Sequence, residues 1–141
     1  MGSRRQSREY ALQMLFQRDL GGVGTSPTDV YRTFWEGKKE SEEVKKFAES
    51  LALGAVTELD RIDEMIRRQA QHWRLDRMAA VDRNILRVAV YEMLNGETPP
   101  AVVINEAIEI ARKFSTDEST QFVNGILDGI RKELPPETGA K

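Results

Sequence analysis

PPAVVINEAIEIARKFSTDESTQFVNGILDGIRKEL, Pro99 to Leu134, decides how the rest of the chain must fold. Val103, Ile104, Ala107, Ile108, Ala111 and Phe114 recur three and four residues apart, which puts them on one side of a helix and leaves Asn105, Glu106, Glu109, Arg112 and Lys113 on the other. After the polar corner Ser115 to Ser119, the pattern resumes with Phe122, Val123, Ile126, Leu127 and Ile130. Gly125 and Gly129 flank that second stripe, where a missing side chain lets a neighbouring backbone come close. Two apolar stripes cannot hide one another in a lone hairpin. The remainder of the chain has to cover them, and the exposed corner becomes a place to meet a partner.

Working back toward the N-terminus, Leu75 to Leu94 reads as a helix closed by Asn95-Gly96, with Met78, Val81, Ile85, Val88 and Ala89 inward. Glu92 falls on that inward arc, so it requires hydrogen-bond donors, expected from a nearby helix start or loop. Ser41-Glu42-Glu43 is a capped helix start, and the stripe from Val44 to Ile66 predicts one long helix to about Ala70, the expected central post. Thr28 to Glu36 predicts a short amphipathic helix carrying Val30, Tyr31, Phe34 and Trp35. Arg4 to Leu20 is a further helix with Ala11, Leu12, Leu15 and Phe16 on one side. At 100° per residue, Arg4, Arg5 and Arg8 project over the same arc as these apolar groups. Guanidiniums do not belong in a core, so this arc is expected to overhang the bundle end and face an anion or water.

No period-two alternation or internal repeat is present, so the chain predicts one all-α domain, with 1–3 and 135–141 loose. Composition excludes several chemistries. There is no cysteine and a single histidine, His72, which removes disulfides, thiolate metal sites and cysteine nucleophiles and fits a reducing cytoplasm. No apolar run approaches the roughly 20 residues that span a bilayer, and the start MGSRRQSREY lacks the apolar segment of a secretion signal. Phosphate-binding glycine loops, nucleophile elbows and paired catalytic carboxylates are missing as well, so neither enzyme activity, metal nor cofactor is expected. The net charge of −2 conceals a separation: three arginines and no acid in the first eight residues, and eight acids against three bases between Glu40 and Glu64. A basic patch on a mildly acidic body points to a specific anion site.

RRQSREYALQMLFQRDL, AVDRNILRVAVYEML and VINEAIEIARKFSTDESTQFVNGILD, with the spacing between them, resemble the NusB family of transcription antitermination factors over nearly the whole chain. The resemblance implies a helical bundle of two packed three-helix halves. It also implies binding of the boxA element of nascent RNA together with NusE, a small-subunit ribosomal protein, within the antitermination complex on RNA polymerase that reads through ribosomal RNA operons. By the same resemblance, Arg4, Arg5 and Arg8 are the arginine-rich RNA motif, and Thr116, Glu118, Gln121 and Phe122 a second RNA-contacting segment. Phe122 borders its apolar stripe, so core packing competes with base stacking there. The NusE-facing surface is expected around Phe16, Leu20, Asp82 and Arg83. A helical protein-interaction module without RNA binding is the alternative, and a homodimer is left open.

Overall fold

Six α-helices carry most of the residues that the computed structural model describes, 2–21, 33–70 and 78–135. They are α1 (Gly2–Gly21), α2 (Glu42–Thr57), α3 (Leu59–Gln69), α4 (Ala80–Asn95), α5 (Pro100–Phe114) and α6 (Asp117–Glu133), and no strand occurs among the described residues. Their starts follow local chemistry. Ser41 Oγ accepts from the Val44 amide at the head of α2, Pro100 opens α5, and Thr116 Oγ1 accepts from the Ser119 amide at the head of α6. Gly96, at φ +80°, takes the left-handed position that ends α4.

The centre of the bundle is α4, not the 41–70 stretch the sequence suggests. It packs against all five other helices, and every side chain from Asn84 through Val90 is buried. The expected long helix divides at Glu58 into α2 and α3. Thr57 donates its hydroxyl to Leu53 O at 2.8 Å, a back-bond that bends helices, and the Glu58 amide turns to Gly54 O and Val56 O. The break lets α3 leave the α1–α2 pair and lie against α4 and α6.

One hydrophobic cluster fills the space between all six helices, with Met14, Leu51, Ile62, Ile66, Leu86, Val103, Val123, Leu127 and Ile130 at 2% exposure or less. The α5–α6 stripes enter it largely as the periodicity requires. Ile110 is buried, however, where Ile108 is half-buried and Phe114 is 38% exposed. The glycines behave differently from expectation. A Cβ at Gly125 meets nothing, whereas one at Gly129 would strike the Gln69 side chain and one at Gly54 the Tyr91 ring. A tight crossing therefore lies at Gly54, against a ring, whereas the neighbour at Gly129 is the flexible end of Gln69. Phe34 is buried and forms a T-shaped cluster with Trp35 and Tyr10, while Val30, Tyr31, His72, Trp73 and the expected helix start at Leu75 lie outside the described residues.

Candidate nucleic-acid interface

The first turns of α1 run past Val44 and Phe47 of α2, and Ser7 Oγ donates to Val44 O at 3.0 Å, fixing the two helices at this end. Of the three arginines there, Arg8 contradicts the expectation of an overhang. It is only 7% exposed and donates through Nε and Nη2 to the two carboxylate oxygens of Glu92, at 2.8 and 2.6 Å. Glu92, 3% exposed, thus receives its donors from another helix's side chain and not from a helix start or loop. Two planar groups meeting edge to edge satisfy each other's charge and hydrogen bonds, which makes burial tolerable.

Arg5 is half-exposed and forms a second bidentate pair, Nε and Nη2 to Glu106 of α5 at 2.8 and 3.0 Å, with Arg8 Nη1 3.7 Å from the same carboxylate. The hydrogen bond from Arg5 holds the Glu106 carboxyl below the ordinary glutamate range, and nearby positive charge adds to this against the opposing effect of burial. Arg4 is exposed, its guanidinium carbon 3.9 Å from the centre of the Phe47 ring. Arg5 and Arg8 are thus ion-paired with Glu106 and Glu92, whereas Arg4 makes no ion pair among the described residues, although Glu97 is a third carboxylate at this end. Between them opens a cleft of about 480 Å³ lined by Arg4, Arg5, Arg8, Phe47, Glu97, Thr98, Val102 and Glu106.

A second recess, about 300 Å³, lies at the corner between α5 and α6. Asp82 of α4, 7% exposed, accepts from Ser115 Oγ at 2.8 Å and from Ser119 Oγ at 2.7 Å. One carboxylate thereby staples both sides of the corner. Thr116, Glu118 and Phe122 line the recess with Met78, Ala79, Asp82 and Ser119, while Gln121 is exposed on α6 outside it. Phe122 is half-buried: it packs against the core cluster and also lines the recess.

The structure gathers the arginines at one site and three of the four corner residues at another, separated by α5. Fifteen residues at 1.5 Å each place the two about 20 Å apart. The residues expected to face NusE divide further. Phe16 is half-buried and Leu20 stands in the last turn of α1, but Asp82 points inward to its two serines. Arg83 donates to Asp19 Oδ2 and Met78 O, both at 3.3 Å. Behind it, Arg87 donates to both Asp63 oxygens at 2.9 Å, and Asn84 Nδ2 donates to Asp19 at 3.0 Å.

Sequence reading missed Phe47, which sits on an apolar stripe and looks like core, and Glu106, which looks like a solvated face. Only the partner 101 residues away reveals the latter. Among the described residues, no cluster of His, Cys, Asp and Glu is placed to hold a metal ion, and no helix is long and apolar enough to cross a membrane.

Residues 5–132 match the NusB family model. The chain is 51% identical to the transcription antitermination protein NusB of Koribacter versatilis, over 99% of this chain and 96% of that protein, and 49% identical to that of Solibacter usitatus, over 96% and 92%. Among solved structures, T. maritima NusB superposes with a TM-score of 0.83 at 36% identity, over 95% of this chain and 94% of that one. The NusB of a crystal structure of antitermination factors NusB and NusE with double-stranded RNA superposes at 0.81 and 28% identity, over 95% and 99%. The chain belongs to the NusB family.

Proposed function

We propose that this protein is a non-catalytic RNA-binding adaptor that joins NusE on a boxA-like single strand and so promotes transcription antitermination in the cytoplasm. The observation that carries the reading is the cleft at the start of α1, where an exposed Arg4, in no ion pair among the described residues, stands beside a half-exposed Arg5. Backbone phosphates supply most of the attraction in such complexes, and exposed guanidiniums are the groups that neutralise them. In this reading Arg4 and Arg5 meet phosphate, and Arg8 anchors α1 on α4 beneath them. The corner supplies the second contact: Phe122 offers a stacking face, and Thr116, Glu118 and Gln121 offer donors and acceptors for base edges. NusE binding is supported by the family and by the NusB–NusE complex among the structural neighbours, and the surface around Phe16, Leu20 and Arg83 is where we place it.

Two small contacts about 20 Å apart make a weak grip on a flexible strand, so affinity is expected to rise when NusE is present, and RNA must raise NusE affinity by the same factor. Gel shifts with a short boxA-like RNA, with and without saturating NusE, test this. Equal RNA affinity in both would refute the adaptor role, and no binding in either would leave the interaction module without RNA binding.

A further inference from the structure

We propose that the cleft at the start of α1 is a nucleotide pocket as well as a phosphate contact, with Phe47 as the platform on which one unpaired base of the bound RNA stacks. The inference rests on the RNA-binding reading above and names a base-binding residue for it. Three observations converge. The volume, about 480 Å³, falls within the range of roughly 300–1,000 Å³ typical of small-molecule sites, ample for a single nucleotide. The Phe47 ring is half-buried and packed against the core cluster, yet it already carries a flat cationic group, the Arg4 guanidinium at 3.9 Å, with the anchored Arg8 guanidinium farther off at 5.8 Å. A face that accommodates a planar guanidinium accommodates a planar base, which stacks in the same manner. The walls then supply what a nucleotide requires beyond the stack: Arg4 and Arg5 for its phosphate, and the Thr98 hydroxyl and Glu97 carboxylate near the base edge.

The arrangement implies an exchange. In the free protein Arg4 covers the ring; when RNA enters, the base takes that face and Arg4 turns to the phosphate. The cation–π contact is exposed and cheap to give up, whereas the phosphate contact releases counterions. Arg8 cannot make this move, because Glu92 holds it by two hydrogen bonds. Arg5 is held in position by Glu106 at the pocket wall.

The test is Phe47→Leu, which keeps an apolar side chain against the core but removes the flat face. RNA is titrated into this variant, Phe47→Tyr and the wild type, using a boxA-like single strand and a set of the same strand with one abasic site moved along it. Phe47→Leu is expected to weaken binding roughly 5- to 150-fold with the salt slope unchanged, and Phe47→Tyr to bind like wild type. One abasic position should weaken wild-type binding by a similar factor and cost Phe47→Leu nothing more, which assigns that base to Phe47. Should Phe47→Leu melt early, Phe47→Met, which also lacks the flat face, takes its place in the same abasic comparison, read below the variant's melting temperature. Wild-type affinity in Phe47→Leu, or abasic losses that add fully to the Phe47→Leu loss at every position, would overturn the pocket. If Arg4→Ala also left binding untouched, the RNA reading of this end would fall with it; if Arg4→Ala alone weakened binding, the phosphate contact would stand without a base pocket.

Discussion

The two ends of α4 solve the same problem, a charged group inside a helical bundle, in opposite ways. At the Glu92 end Glu92 and Glu106 take up Arg8 and Arg5, while Arg4 lies over the Phe47 ring on the surface in no ion pair among the described residues, with Glu97 on the wall of the same cleft. At the Asp82 end the carboxylate is answered by two serine hydroxyls, and the nearby arginines Arg83 and Arg87 are matched by Asp19 and Asp63. The first end exports a charge; the second consumes its charges to hold a corner in shape. A basic patch is therefore defined less by how many arginines the sequence places there than by how many carboxylates the fold brings against them.

Removing the inner carboxylate at the first end should have the largest effect. Glu92→Leu leaves Arg8 buried with only Glu106, 3.7 Å away, and an uncompensated buried charge costs about 3–5 kcal/mol. Urea unfolding should show the midpoint falling with little change in slope. A loss under about 1 kcal/mol would mean that Arg8 escapes to solvent and belongs with Arg4 after all. At the opposite end, Ser119→Ala removes one of two hydroxyl donors to Asp82 and should cost about 1.5 kcal/mol, the lower range for a hydrogen bond to a charged group. Ser119 also sits beside the Thr116 cap, so the melt should be paired with amide exchange at the head of α6, which is expected to quicken there first. Uniform quickening across all helices would make the staple a global rather than local support.

Smaller in stability, but informative about charge, is Glu106→Gln. The Arg5–Glu106 pair is partly exposed, and such pairs are worth about 0–1 kcal/mol. Stability should barely move. RNA affinity should rise, because phosphate no longer competes with a carboxylate for Arg5, and the salt slope should steepen by up to about 0.7 for a single strand. Weaker RNA binding in Glu106→Gln would show instead that Glu106 presents Arg5 to the RNA.

The contrast also marks what a sequence can disclose. The α5–α6 hairpin and its polar corner were legible because periodicity and capping are local: Val103, Ala107, Val123 and Leu127 lie where spacing puts them. The central role of α4 was not: Glu92 already stood on the inward arc, but Asp82, Asn84 and Arg87 lie off it, and only their distant partners make them interior. Arg8 carries the same lesson. Its azimuth correctly pointed inward with Leu12 and Leu15, and the rule that guanidiniums avoid cores then pushed it outward, since Glu92 stands 84 residues away. Gly125 was misread for a complementary reason: spacing shows which residue is small but not what faces it, and a Cβ there would meet nothing. For the candidate site, the fold forms a recess at each of the two segments the sequence singled out, but the presence of Phe47 in the first could not be read from spacing.

The central claim is that the arginine end binds RNA phosphate through Arg4 and Arg5 while Arg8 stays with Glu92. The salt dependence of RNA binding, measured with NusE present for wild type and for the Arg4→Ala/Arg5→Ala double variant, tests it most directly. The account requires weaker binding by the variant, a slope lower by up to about 1.4, which is 0.7 for each lost contact, and an unchanged melting temperature. Wild-type affinity and slope in a folded double variant would contradict it.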